Sequence, residues 1–316
     1  MSAVVNVALP VFAIILLGYL SGRMGLLGQA SSEALNKFVY WIALPALLFI
    51  AMARSGVEDL VNWHFMGAYL GGIYVVWGLA ALLGFVLHRA NAAIMTMQGM
   101  SATFSNTGYM GIPLFVAAFG SAGLPPALLA TVTMSAICVG TAVVGLELFG
   151  GTGRGVLRAL ADVVLALVKN PLVVSPALGL LWSGVGLAVP TAAETLMDLL
   201  GAAASPCALF AIGLFMATQT LRSDLAEVGW ITVVKLIWQP LVTWWLAVTF
   251  FPMDPFWTAS AVILAALPTG ALTFVVAQQY GVYVQRTSAV ILVSTVASVV
   301  TLSILLAIYG PQFAPA

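Results

Sequence analysis

The sequence predicts an all-α polytopic membrane protein of ten transmembrane helices, arranged as two inverted five-helix repeats. Three observations point there. Of 316 residues, 62% are hydrophobic and only 6% are charged, against roughly 25% charged in soluble domains. Apolar runs recur ten times between polar or Gly/Pro-rich connections. Two of these runs, at corresponding places in the two halves, carry helix breakers. They are Asn106-Thr107-Gly108-Tyr109-Met110-Gly111-Ile112-Pro113 and Leu267-Pro268-Thr269-Gly270.

A mean hydropathy of +1.12 cannot be hidden in one soluble core, because the outer surface must then be apolar too. Ten helices of roughly 20 residues use most of the length. The spans fall at about 4–21, 34–53, 65–87, 94–118, 125–149, 171–187, 192–217, 228–250, 256–279 and 286–308. The first lacks a basic n-region and an obvious cleavage site, so it reads as a retained helix. Residues 156–168 read as an interfacial amphipathic helix leading into the sixth span, the shortest. The chain thus divides into a first repeat (1–150), a cytoplasmic linker (151–170) and a second repeat (171–316).

Basic residues set the orientation. With the N-terminus outside, the cytoplasmic side holds Arg23, Lys37, Arg89, Arg154, Arg158, Lys169, Arg222 and Arg286, and the outer loops hold only Arg54. This is a strong positive-inside bias. Ten spans then return the C-terminus to the outer, periplasmic side of an inner membrane. Trp41, Trp63, Trp182, Trp230, Trp244, Trp245 and Trp257 mostly sit near span ends, as an aromatic belt. A net charge of zero points away from nucleic acid. Cys138 and Cys207 both fall in spans and read as buried free thiols, with no support for a disulfide framework or metal site.

The repeat rests on order. Pro45-Ala46-Leu47-Leu48-Phe49 resembles Pro206-Cys207-Ala208-Leu209-Phe210, and Pro10, Pro45 and Pro113 match Pro176, Pro206 and Pro268 in sequence. Fifteen prolines offer chance pairings, but span order and the shared Pro-x-x-Leu-Phe agree with the pairing. Five spans per half is odd, so the second half is inverted. A proline inside a helix removes a hydrogen bond and costs about 3 kcal/mol, and hydrocarbon offers no water to take the freed groups. Broken helices at matched places in inverted repeats are the usual pointer to a transporter's binding site.

Four segments carry a family resemblance. Asn36-Lys37-Phe38-Val39 with Pro45 and Leu47-Leu48-Phe49 is similar to the second helix of the auxin efflux carrier family. Ser105 through Leu114 is similar to the fourth helix, Ala208 through Ala217 to the seventh, and Ala266-Leu267-Pro268-Thr269-Gly270 with Phe274-Val275-Val276-Ala277 and Tyr280-Gly281-Val282 to the ninth. The resemblance runs in order along nearly the whole chain, which lacks the long central loop of many plant members. It implies a scaffold of helices 1, 2, 6 and 7 and a transport domain of helices 3–5 and 8–10. Broken helices 4 and 9 cross in that domain, with substrate at the crossing. It also implies an elevator-like movement and a homodimer.

The candidate substrate-binding residues are therefore Asn106, Thr107, Gly111 and Pro113 with Pro268, Thr269, Gly270 and Thr273. A break before Pro113 frees carbonyls near Tyr109 and exposes amides of the following half-helix, a ready anion site. Asn106 adds two donors and an acceptor. It either contacts substrate or satisfies the broken backbone. Aligned through the repeat, it falls opposite Ala261, so the amide is present once. Glycine allows close backbone approach at Gly270. The hydroxyls of Thr269 and Thr273 either bond substrate or cap their own helix.

Lys235 is the basic residue well inside a span, with Gln239 one turn on. The pair is a candidate for anion attraction or coupling; snorkelling or a structural ion pair is the other reading. Glu147 or the substrate is its expected partner. Glu194 and Asp198 share a face near the outer end of span seven, as a relay or as a solvated helix start. Lys37 and Asn36 support the domain interface or anchor the second span. No phosphate-binding loop or nucleophile elbow is present. His64 and His88 are expected in loops on opposite sides of the membrane, which excludes a shared metal. The expected protein is not an enzyme and needs no cofactor. It is a secondary carrier of a small organic anion such as malonate, with auxin-like aromatic acids, a ligand sensor or a channel as alternatives. Sodium coupling, proton coupling and uniport all remain open.

Overall fold

The computed structural model describes residues 9–54, 62–149, 155–218 and 225–313. Arg154 and Arg222, two of the charges that set the orientation, lie outside the described residues, as do both chain ends. The described residues are helical almost throughout. In chain order the helices are α1 (Leu9–Arg23), α2 (Gln29–Ala53), α3 (Trp63–His88), α4 (Ala92–Thr103), α5 (Thr107–Phe149), α6 (Val156–Lys169), α7 (Pro171–Val185), α8 (Thr191–Thr218), α9 (Leu225–Thr249), α10 (Pro255–Ala265), α11 (Leu272–Tyr280) and α12 (Val284–Phe313). Six of them are long and apolar enough to cross a membrane, or seven if α6 and α7, bent by 53°, form one span. The sequence predicts ten. The difference arises because α1 and α10 are short and because chain interruptions divide other apolar runs into pieces.

Helix starts follow from local chemistry. Asn62, Asn91, Asn170 and Asp254 each accept a hydrogen bond from a first-turn amide, at 2.9 Å for the three asparagines and 2.7 Å for Asp254. These caps satisfy donors that would otherwise lack partners. His64 and His88 are not in loops. They lie in the first and last turns of α3, a 26-residue helix roughly 39 Å long. They are still too far apart to share an ion.

Proline acts differently from the sequence expectation. The helix does not break at Pro113. It opens into a π turn over Thr107–Gly111, and the residue before the proline, Ile112, donates to Thr107 O, five residues back. Pro45 and Pro240 follow the same rule, with π turns Val39–Ala43 and Val234–Trp238 just before them. The wider turn accommodates a proline ring that would clash with the carbonyl four residues back. The interruption itself comes earlier, at 104–106, between α4 and α5. Its counterpart is 266–271, between α10 and α11, and Pro268 lies inside it.

α1 and α2 both pack extensively on α8, and α7 packs on α2. Small residues bring α1 and α8 together. A Cβ at Gly213 would stand 2.0 Å from Ile15 O, and one at Gly18 would stand 2.2 Å from Phe210 O. Contact this close lets backbones pack directly where lipid gives helices no hydrophobic drive to associate. The remaining spans surround the two interruptions. The outward faces carry exposed Leu16, Leu82, Phe85, Trp244, Val300 and Ile304, as a bilayer solvent requires.

At one end of α2, Arg54 Nη2 reaches Glu194 at 2.7 Å and Asp198 at 2.8 Å on α8. These hydrogen bonds, first to Asp198 and then to Glu194, push the guanidinium pKa up. The two carboxylates thus share one partner, Arg54, at the start of α8. All three side chains are 38–49% exposed, so water screens the attraction. Arg54→Ala is expected to cost at most about 1 kcal/mol. Its melting temperature in detergent should fall by less than roughly 4 °C.

Candidate functional site

The two interruptions meet. Ser105 and Thr269 form an antiparallel bridge. Asn106 N donates to Pro268 O at 2.9 Å, and Gly270 N donates to Phe104 O at 2.9 Å. Extended segments this short strand polar backbone groups in an apolar interior; pairing them with each other is the local solution. The approach requires glycine, since a Cβ at Gly270 would meet the Phe104 ring at 2.8 Å and Asn106 Cα at 3.2 Å. Across the bridge, Asn106 pairs with Pro268 and Phe104 with Gly270.

A cavity of about 580 Å³ opens beside the bridge. The interruptions form one wall through Asn106, Thr107, Gly108 and Gly270, continued by Tyr109 and Phe274. Asn36 and Tyr40 of α2 and Phe215 and Met216 of α8 face them. Tyr40 and Tyr109 stack across the gap, with centroids 6.5 Å apart and planes at 17°. α6 closes another side through Ala159, Asp162 and Ala166, and Glu147 lies on the wall near it. Among the described residues, no Lys, Arg or His lines this cavity.

The ten candidate residues therefore sort by place. Asn106, Thr107 and Gly270 are on the wall. The side chain of Asn106 makes no capping bond to the helix it precedes, so its amide is available to the cavity. Gly111, Pro113, Pro268, Thr269 and Thr273 are buried behind the wall. Thr269 Oγ1 donates to Ser101 O at 2.7 Å, and its amide donates to Ser294 Oγ at 3.1 Å. That hydroxyl serves the backbone.

Lys235 and Gln239 lie behind the bridge, both fully buried. Lys235 therefore does not snorkel. Its Nζ donates to Ser105 Oγ at 2.9 Å, Ala265 O at 2.7 Å and Gln239 Oε1 at 2.5 Å. Gln239 Nε2 in turn donates to Thr103 O at 2.9 Å. The pair thus ties α9 to the ends of α4 and α10. Glu147, the partner expected from sequence, is on the cavity wall instead.

Sequence reasoning missed Glu227. A carboxylate at a span end reads as solvated, yet Glu227 is 1% exposed. Gln98 Nε2 donates to it at 2.6 Å, the Tyr283 hydroxyl donates to it, and Arg286 Nε lies 3.0 Å away. These partners come from two distant stretches of the chain, around Gln98 and Tyr283–Arg286, so no local pattern announces them. Tyr40 was missed too. Asn36, four residues earlier on the same helix, was the available signal.

The chain is similar to known membrane transport proteins. A family model described as membrane transport protein matches residues 3–147 and 154–306. A protein of Rhizobium meliloti (strain 1021) named "Putative malonate transporter" is 34% identical over 306 residues, covering 97% of this chain and 96% of that one. Two proteins named as uncharacterized transporters, from Escherichia coli (strain K12) and Methanothermobacter thermautotrophicus, are each 27% identical, covering 93% of this chain and 93% and 94% of their own.

Proposed function

The chain belongs to the membrane transport protein family, that of the auxin efflux carriers, and from that premise we propose that it carries a small organic anion of the malonate type by elevator-like alternating access. It is a multi-pass membrane transporter of a small molecule, not an enzyme. The finer reading is ours. Ten spans form two inverted repeats in an inner membrane, with both termini outside. The fourth and ninth expected spans, interrupted at 104–106 and 266–271, are the broken, crossing pair. The cluster α1, α2, α7 and α8 is the scaffold, the remaining spans move against it, and two copies assemble as a homodimer.

One observation carries the substrate reading: Asn106 and the start of α5 face the cavity from a backbone interruption. First-turn amides of a helix lack intrahelical acceptors, and the dipole favours negative charge there. At the start of α11, Thr273 N and Phe274 N donate to Gly270 O and Ala271 O; at the start of α5, Thr107 N donates to Ser105 O, and Gly108 and Tyr109 follow it on the cavity wall. A carboxylate is thus read at one end, by α5 and the Asn106 amide, without a basic side chain. The malonate name of the Rhizobium meliloti relative supports a carboxylate as cargo.

A second reading has its own support. Tyr40, Tyr109 and Phe274 give the cavity an aromatic wall, and its volume exceeds what malonate fills. An aromatic monocarboxylate suits such a wall. Counterflow in proteoliposomes decides between them. Labelled malonate is expected to exchange saturably against internal malonate, above protein-free vesicles. Exchange of an aromatic acid but not of malonate would move the assignment to the second reading. Binding without flux of either would replace carriage by sensing.

A further inference from the structure

We propose that Ser135 is a specificity-determining residue of the cavity, whose hydroxyl donates to the second carboxylate of a short diacid. The proposal rests on the reading of the start of α5 as the place where the first carboxylate sits. A diacid brings a second charge, and no Lys, Arg or His among the described residues lines the cavity to meet it. Taking a charge out of water without a hydrogen bond is costly, so the second end needs a donor of its own. The later half of α5 supplies a wall for it, through Thr131, Ser135, Val139, Val143 and Glu147. This wall starts beside the first-carboxylate end, since a Cβ at Gly108 would stand 3.8 Å from Thr131 Cγ2. Ser135 follows one turn on, roughly 6 Å further along the axis, within reach of a short diacid held at the α5 start.

The hydroxyl is uncommitted. Thr131 Oγ1 donates to Ala127 O and Thr295 Oγ1 to Ile291 O, each at 2.7 Å, and the Asn170 side chain caps α7. The half-buried Ser135 side chain makes no hydrogen bond among the described residues. The backbone around it is shaped as well. Ser135 lies in a π turn, Met134–Cys138. The other three π turns among the described residues each end two residues before a proline. Here Gly140 stands in that place, and a Cβ on it would meet nothing within 4 Å. Neither a proline ring nor a close contact therefore explains the wide turn. The direction of the wall does. In a plain α-helix each step of four residues drifts by about 40°, so residues 131 and 147 would face nearly opposite ways. The wide turn takes up part of this drift and keeps residues spaced by four, Ser135 among them, on the cavity. π bulges are frequent at functional sites.

Competition in proteoliposomes tests this. Counterflow of labelled malonate is inhibited by unlabelled malonate or by malonamate, at a pH where both malonate carboxyls are ionised. Malonamate keeps one carboxylate and the shape, and replaces the other carboxylate by a neutral amide. Ser135→Ala should weaken malonate about 10-fold or more and malonamate about 3-fold or less, because a hydrogen bond to a charged group is worth more than one to a neutral group. Its melting temperature should match the wild type, since alanine suits a helix and the hydroxyl holds no other part of the protein. Ser135→Thr keeps a hydroxyl and should keep the wild-type ratio between the two acids. Asn106→Ala should weaken both acids alike, because it serves the carboxylate they share. An unchanged ratio in Ser135→Ala would overturn the proposal, as would equal weakening of both acids, which marks a packing role. A ratio lost in Ser135→Thr would overturn it too. Any of these results alongside malonate exchange leaves the substrate reading standing, whereas a wild type that exchanges no malonate sinks both.

Discussion

Gly213→Leu is expected to abolish accumulation of folded protein, measured by size-exclusion profile after detergent extraction. The smallest step, Gly213→Ala, already places a Cβ 2.0 Å from Ile15 O and 2.6 Å from Tyr19 N. Both atoms are backbone, so no rotamer change relieves the clash; α1 and α8 must separate. Overpacking a tight core costs about 1–3 kcal/mol, and here the whole α1–α8 contact is at risk. Gly213→Ala should therefore lower the melting temperature clearly, while Leu should prevent assembly. Gly184→Ala is the matched control, since a Cβ there meets nothing within 4 Å. Equal behaviour of the Gly213 and Gly184 variants would show that the small-residue seam does not hold these helices together.

Asn106→Ala should lower exchange of the carried anion roughly 10- to 150-fold, the worth of about 1.5–3 kcal/mol for a hydrogen bond to a charged group. The reason lies in a division of labour within one residue. The backbone of Asn106 holds the bridge, through its amide to Pro268 O at 2.9 Å and its carbonyl to Met110 N and Gly111 N at 3.2 and 3.0 Å. Its side chain faces the cavity and caps nothing. Alanine keeps the first set and removes the second. Melting temperature should thus stay close to wild type while initial rates of counterflow fall. Unchanged transport at normal expression would remove Asn106 from the site.

The sequence makes much of this legible because hydrocarbon imposes strict rules. Apolar runs had to become helices, and helix ends had to find caps, which Asn62, Asn91 and Asp254 supply in plain view. What failed was local geometry around proline. Pro113 suggested a break, but a π turn absorbs the ring, and the interruption lies at 104–106, ahead of the glycines and the proline. The break exists because two segments pair, and pairing between residues 164 positions apart leaves no local mark. Glu227 and Lys235 show the same limit. Each looks like an isolated charge in a linear reading, and each is explained by partners from distant segments. The absence of basic side chains from the cavity wall was likewise invisible, because Lys235 was assigned by depth and not by direction.

The bridge between Ser105 and Thr269 is made of amides and carbonyls alone. The residues it does depend on are Gly270, for the close approach, and Ser105 and Thr269, whose hydroxyls are tied to Lys235 and Ser101 behind it. Residues on its rim, such as Asn106, Tyr109 and Phe274, are therefore free to be exchanged in the course of descent without loosening the joint. A lineage built on it can acquire new cargoes by drift at the rim while the crossing is inherited intact.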